Sequence, residues 1–313
     1  MNHELLAMTH NQSTSNILMI RPVNFGFNEQ TAASNAFQNR SAVNVQDKAL
    51  QEFDRFVNIL KANGVNVIVV DDTIEPHTPD SIFPNNWVSF HSDGQVFLYP
   101  MQAENRRLER REDIVMGLEN NFHIQHVIDL SRFEAEDKFL EGTGSMVLDR
   151  ENKIAYACIS PRTDREVLEL FCEQTGYKAV CFDAVDNKRM AIYHTNVLMC
   201  VGSRFAVICL DSIPNPHERI MIKESFLSTD KEVIDISFDQ MNSFAGNMLE
   251  VKNLKGETLI VMSTNAYNAL LEEQKSVLAK YGKLVHADIN TIETNGGGSA
   301  RCMMAEVHLP FSS

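Results

Sequence analysis

The apolar positions of this chain recur with two different periods, and the alternation between them divides the chain into units. Five stretches, 43–63, 104–121, 163–176, 215–228 and 265–281, repeat apolar residues every three or four positions and predict amphipathic helices. Their centres lie roughly 50 to 60 residues apart. Between them the sequence shifts to short apolar or alternating runs, which predict strands. Four pairs of these runs predict hairpins: 87–91 with 95–101 about Asp93-Gly94, 146–149 with 154–159, 197–201 with 205–210 about Gly202-Ser203, and 247–252 with 258–263 about Lys255-Gly256. A further strand adjoins each helix, at 67–71, 126–130, 179–182, 233–237 and 284–288.

A fifth hairpin is missing unless the last strand, 302–309, pairs with the N-terminal strand, 17–23. That pairing would close a ring. A repeat of one helix and about three strands predicts a radial, propeller-like α/β fold with pseudo-fivefold symmetry. The alternative, an α/β chain with accidental alternation, needs a long parallel sheet and leaves the tight hairpins unexplained. The expected organisation is one domain over 17–313 preceded by a flexible tail, 1–16. In such a fold the site lies on the central axis, where residues distant in sequence converge.

Each unit offers polar residues at the matching phase of the repeat. They are Asp80-Ser-Ile-Phe-Pro-Asn85-Asn86-Trp87, Glu141-Gly-Thr-Gly-Ser145, His194-Thr-Asn196, Ser243-Phe-Ala-Gly-Asn247 and Asn295-Gly-Gly-Gly-Ser-Ala-Arg-Cys302. Cys302 follows three glycines, whose missing side chains let a ligand approach the backbone. A free thiol of pKa about 8.5 is mostly protonated at neutral pH, so a nucleophile here needs a base or a positive field. Arg301 is one candidate source. Cys302, His194 and Glu141 together would supply nucleophile, general acid/base and orienting carboxylate. Taken singly, each has a plainer reading. The glycines make a turn before a strand carrying a small buried Cys302, His194 caps a turn or sits in the core, and Glu141, Asp80, Asn85 and Asn86 are loop residues.

Composition narrows the partners. With 42 acidic against 28 basic residues the formal charge is −14, which argues against nucleic-acid phosphate and anionic membrane surfaces. Small molecules are the expected ligands, and homo-oligomer formation stays open. No apolar run approaches the roughly 20 residues of a membrane span, and 1–16 lacks the pattern of a signal peptide, so a cytoplasmic protein is expected. The six cysteines contain no C-x-x-C pair and lie mostly in apolar runs, which suits reduced core thiols. His123 and His126 have a spacing open to metal, but no cysteine or carboxylate cluster supports it. Neither metal nor organic cofactor is expected.

Those motifs resemble the guanidine-modifying superfamily of dimethylargininases, arginine and agmatine deiminases, amidinotransferases and succinylarginine dihydrolase. The resemblance runs from Ile20-Arg-Pro-Val23 to Cys302-Met-Met. The glycine approach to Cys302 resembles the family's nucleophile loop, Glu141-Gly its E-G-G-D segment, and Tyr193-His194 its histidine strand. Pro79-Asp80-Ser-Ile-Phe83 resembles the P-D-x-x-F run that lines the dimethylargininase pocket. Asn105-Arg106-Arg107-Leu-Glu109 and Ser160-Pro-Arg162-Thr163 resemble the places from which arginines reach the substrate's α-carboxylate. The resemblance implies a five-bladed ββαβ propeller, the pentein fold, and a cysteine hydrolase of guanidino or ureido C–N bonds.

Three departures bear on the substrate. The two carboxylates that grip a guanidinium in dimethylargininases, F-x-E-D, are here Asn85 and Asn86. The aspartate of E-G-G-D is replaced by Gly144 or Ser145, and the deiminases' H-x-D becomes His194-Thr-Asn196. Burying a guanidinium without anions costs several kcal/mol, whereas a neutral ureido group can exchange hydrogen bonds with asparagine amides. The expected reaction is therefore hydrolysis of L-citrulline to ornithine, carbon dioxide and ammonia through an S-carbamoyl cysteine. Asp80, Asn85 and Asn86 would hold the ureido end, and Arg106 and Arg162 the carboxylate. Arginine or methylarginine hydrolysis, amidino transfer, and non-catalytic binding of an arginine-like metabolite are the alternatives.

Overall fold

The computed structural model describes residues 11–32, 34–40 and 44–312. The strands form five separate three-stranded sheets. Four are built alike: a short hairpin whose second strand pairs in parallel with a third strand after a helical crossover. In the first of them Val88–Phe90 pairs antiparallel with Gln95–Leu98, which pairs in parallel with His126–Asp129. Val147–Asp149, Ile154–Cys158 and Lys178–Phe182 repeat the pattern, as do Met199–Val201, Phe205–Ile208 and Glu232–Asp235, then Leu249–Lys252, Thr258–Ser263 and Lys283–Ala287. The right-handed crossover that parallel pairing demands explains why a helix recurs in every unit.

The fifth sheet joins the two ends of the chain. Asn16–Arg21 lies in its middle, parallel to Asn66–Asp71 and antiparallel to Ala305–Glu306, with Ile17 opposite Glu306. This is the expected pairing, with one difference. Only Ala305–Glu306 is strand, whereas 302–309 was expected, because Ser299 to Met304 turn through successive short backbone bonds (Cys302 N to Ser299 O, Met303 N to Ala300 O) that hold Cys302 in a turn.

Three of the five helices match their periodicity: Val45–Ala62, Arg165–Thr175 and Pro216–Ser228, the last two capped by Asp164 and Asn215. The other two divide. The 104–121 stretch becomes Glu104–Arg107 and Glu112–Leu118, the break letting the Arg106 side chain turn inward. The 265–281 stretch becomes Thr264–Ala269 and Glu272–Leu278, separated by extended backbone at Leu270 and Leu271. Apolar clusters fill the space between sheets and helices, for example Phe53, Phe56 and Leu60 against Ile17, Met19 and Val261.

The inner strands meet in chain order: Ala305–Glu306 against Val88–Phe90, Val147–Asp149 against Met199–Val201, and Met199–Val201 against Leu249–Lys252. At one end of that meeting place Gln12 bonds Leu148 O and Val201 O through Nε2 and accepts from Arg150 N. The tail expected over 1–16 therefore needs correction. Residues 1–10 lie outside the described residues, but Gln12 and Ser13 are buried and bonded to three of the units, because their amide and hydroxyl groups satisfy backbone and carboxylate groups at the inner strand ends. Among the described residues no helix is long and apolar enough to cross a membrane.

Candidate active site

At the opposite end of the inner strands, the loops that lead into four of the hairpins and the turn at Cys302 bring the sequence's polar residues together. Three of these loops end in a short helical turn before the strand: Pro84–Asn86, Gly142–Ser145 and Thr195–Leu198. Such turns aim consecutive side chains into a common centre. Asp80, Phe83, Asn86, Arg106, Arg162, Tyr193, His194, Gly296 to Gly298 and Cys302 line one narrow, half-open cavity with Thr31 and Asn35. Seven of the eight residues singled out from the sequence lie there or touch a residue that does. Asn85 is the exception: its Nδ2 donates to Thr143 Oγ1 at 3.3 Å and it does not line the cavity.

Glu141 is completely buried and grips His194, whose Nε2 lies 2.7 Å from Glu141 Oε2. Burial works against the Glu141 charge, but Arg162, with NH1 3.5 Å away, and His194 outweigh it and hold the carboxyl well below the usual range. Burial takes His194 down to about 4, with Arg162 and Arg106 pushing the same way and the bond to Glu141 opposing them. An ionised Glu141 thus accepts the Nε2 proton of a neutral imidazole and leaves Nδ1 as the basic nitrogen. Gly144 is required beside it. A Cβ there would lie 2.3 Å from Asn86 Nδ2 and 2.9 Å from His194 Nδ1.

Cys302 is 5% exposed, with two amides on its sulfur: Asn196 Nδ2 at 3.4 Å and Asn247 Nδ2 at 3.3 Å. Arg301 does not supply the positive field that its neighbouring position suggested. Its guanidinium turns away, donating to Met304 O at 2.9 Å and Glu306 Oε2 at 2.8 Å, because adjacent residues in this tight turn point to opposite sides. The remaining thiols are core residues in which burial dominates; it pushes Cys158, Cys172 and Cys200 up to about 12.

Neither cavity arginine presents an open fork, contrary to the expectation that both would await a carboxylate. Arg106 gives Nε and NH2 to Glu109, both at 2.9 Å, NH1 to Asn86 Oδ1 at 3.0 Å, and further NH2 contacts to Asp80 O and Phe83 O. Arg162 gives Nε and NH2 to Ser34 Oγ at 3.1 and 2.6 Å and NH2 to Thr31 O at 3.1 Å, and its guanidinium lies over the Tyr193 ring. The reason is burial: a guanidinium 2% exposed must find partners within the protein.

Among the described residues, four of the six buried side-chain atoms without a partner belong to this region: Asp80 Oδ1, Asn85 Oδ1, Asn86 Nδ2 and Asn196 Oδ1. Asp80 Oδ2, in contrast, accepts from Asn28 at 2.8 Å and Thr31 at 3.3 Å. Burial raises the Asp80 carboxyl above its ordinary value, only partly offset by Arg106 and Asn28.

The segment 28–38 was not anticipated from sequence. Asn28 holds Asp80, Thr31 and Ser34 hold Arg162, and Gln38 bonds Asn295 O at 3.1 Å beside the glycine run. Its signal was available, since Asn24, Asn28, Asn35 and Asn39 are crowded between two apolar elements. Glu109 and Tyr193 were quoted within motifs without a role; Tyr193 donates its hydroxyl to Gly297 O at 2.8 Å. Among the described residues no group of three His, Cys, Asp or Glu is placed to hold a metal ion.

Comparison with solved structures places this architecture among known proteins. The apo structure of ArgZ, an arginine dihydrolase from the ornithine-ammonia cycle in cyanobacteria, aligns with TM-score 0.74 and 18% identity over 95% of this chain and 41% of its own. The chain thus spans about two fifths of full-length ArgZ, and it corresponds to the N-terminal domain, whose substrate-bound form aligns over 94% of this chain and 98% of that one with TM-score 0.74 and 18% identity. The dimethylarginine hydrolase DDAH from Pseudomonas aeruginosa, complexed with citrulline, aligns with TM-score 0.63 and 15% identity over 94% and 99% of the two chains. No curated protein sequence matches. Residues 21–309 match the family described as "N,N dimethylarginine dimethylhydrolase, eukaryotic". With its five small sheets and its buried cysteine, histidine and glutamate, the chain belongs to this family of the guanidine-modifying superfamily.

Proposed function

We propose that the protein hydrolyses a ureido amino acid, L-citrulline, to ornithine, carbon dioxide and ammonia. The observation that carries this reading is the Asn86 amide. Arg106 can only donate, so its NH1 takes Asn86 Oδ1 and leaves Nδ2 a buried donor without a partner, on a residue that lines the cavity. A ureido oxygen satisfies that donor, whereas every guanidinium nitrogen presents hydrogen to it. The unpartnered acceptor Asp80 Oδ1, on a residue that lines the cavity, then suits a ureido N–H group.

In this mechanism the Cys302 thiolate attacks the ureido carbon, and the C–N bond to the ornithine nitrogen breaks as that nitrogen takes a proton through His194. The S-carbamoyl enzyme is hydrolysed by water, with His194 Nδ1 as base and Glu141 keeping the imidazole oriented. Arg162 receives the α-carboxylate, since an anion displaces neutral Ser34 and Thr31 more readily than it displaces Glu109 from Arg106. Asn85 supports the Glu141 loop, a change from the substrate contact first expected. The reaction takes place in a single catalytic unit, expected over 17–313 and extended here to include the buried Gln12 and Ser13, read as a closed five-bladed ring. The end-to-end pairing of Asn16–Arg21 with Ala305–Glu306 supports that reading, and nothing in the proposed chemistry calls for a cofactor.

The second reading is arginine hydrolysis, favoured by Asp80, whose open Oδ1 could meet a cation. Incubation with citrulline, arginine and N,N-dimethylarginine separately, with products identified by mass spectrometry, decides between the two. Ornithine from citrulline is expected; citrulline accumulating from arginine, with citrulline itself untouched, would overturn the proposal.

A further inference from the structure

We propose that Asn196 and Asn247 form a neutral amide cradle that holds the negative charge of the Cys302 thiolate in place of a cation. Two Nδ2 groups lie on one sulfur, at 3.4 and 3.3 Å, and both asparagines are 1% exposed. Asn247 is held in that pose by its surroundings. Its Oδ1 accepts from Arg301 N at 3.0 Å and its Nδ2 also donates to Asn196 O at 2.8 Å, so the amide cannot flip without losing both bonds. The same Oδ1 lies 3.7 Å from Sγ, where the thiol proton rests in the neutral form. Ionisation sends that proton to solvent and leaves the electron pair facing two N–H donors.

The charged and titratable groups around the sulfur explain why amides are needed. Arg301 faces Glu306 on the far side, Arg106 is matched by Glu109 and by Asp80 with Nε 3.8 Å from Oδ2, Arg162 is matched by Glu141, and Tyr193 is buried with its proton on Gly297 O. His194 is committed to Glu141. No cation is left to face the sulfur directly among these residues. A cationic substrate would bring one, but a neutral ureido group brings none, so a protein acting on such a substrate must hold the thiolate itself. The inference rests on the proposed function for that last link, though not for the contacts.

Alkylation of Cys302 by iodoacetamide tests it without substrate: an S–C bond forms, iodide leaves, and only the thiolate reacts at an appreciable rate. The rate is followed against pH by mass spectrometry of the Cys302 peptide in the full chain, with Cys302→Ser as the background. Removing one donor in Asn196→Ala should move the midpoint up by about one pH unit, as loss of a hydrogen bond to a charged group implies. Asn196→Asp, which places a carboxylate there, should move it further. Asn247→Ala should act like Asn196→Ala. Asn247 also bonds backbone, so should that variant fail to fold, the Asn196 pair carries the test, since the hydrogen bond of that side chain goes to the sulfur. An unmoved midpoint with rates lowered equally at every pH would show a merely structural role and overturn the proposal while leaving the citrulline reading intact.

Discussion

Two ends of the same set of inner strands bury charge with opposite outcomes. At the cavity end, Asp80, Asn86 and Asn196 each keep one polar atom without a partner. At the other end Glu306 meets Arg301 at 2.8 Å, His308 at 3.3 Å and Arg150 at 3.5 Å, and Lys231 meets Asp149 at 3.1 Å, with no unpartnered side-chain atom among these described residues. Both regions pay the desolvation cost of polar groups, but only the second recovers it within the protein. The difference separates a site awaiting a ligand from a network that ties units together. Arg301 and Cys302, adjacent in sequence, face one region each.

Substitutions at the two ends should therefore fail in different measurements. Cys302→Ser is expected to lower turnover by about 10⁴-fold or more, as loss of an activated nucleophile does, with an unchanged urea midpoint; substantial retained turnover would remove Cys302 from its role. Glu306→Gln should have the converse signature. Leaving Arg150 and Arg301 without their buried counter-charge should cost about 3–5 kcal/mol in urea unfolding, and a loss below about 1 kcal/mol would show the network to be dispensable. Asn86→Asp should cut kcat/KM for citrulline by roughly 10- to 100-fold, the cost of replacing a needed donor, while raising affinity for arginine as measured by calorimetry. If citrulline kinetics are indifferent to that change, the amide is not the selecting group.

The smallest expected effect is a slope. Burial, helped by Arg150 and Arg301 and opposed by Glu306, takes His308 down to about 4, below the 6.5 of an unfolded chain. Between those values the unfolded state binds a proton that the folded state refuses, so His308 makes stability fall as pH drops from about 6.5 to 4. His308→Gln should flatten that part of the stability curve. Urea midpoints at half-unit pH steps check it, and a slope identical to the unmodified protein would refute the assignment.

Much of this was readable before any coordinates. The hairpin positions followed from turn dipeptides such as Asp93-Gly94 between apolar runs, which are local signals. The closing of the fifth sheet by the two chain ends followed from counting, since four hairpins and five helices left two strands without partners. What failed was local pattern overridden by tertiary demand. The 104–121 stretch has helical periodicity, yet breaks so that Arg106 can reach Glu109 and Asn86. The run from Cys302 looks like a strand, yet begins in a turn because the sulfur must lie under Asn196 and Asn247. Arg301 and Asn85 were misplaced for a related reason: neither charge nor proximity in sequence tells which way a side chain leaves a tight turn.

By itself the sequence determined the number of units, the four hairpins and three of the five helices, and it marked Glu141, His194 and Cys302 as candidate chemistry at a shared phase of the repeat. These rest on periodicity and turn chemistry, which operate over a few residues. Only the tertiary structure decided which polar atoms remain unpaired. That property belongs to no residue alone: Asn86 becomes an open donor because Arg106, twenty positions away, has taken its oxygen, and Cys302 faces two amides because two other units deliver them. Hydrogen-bond partners are consumed in three dimensions, so what is left for a substrate is set by packing.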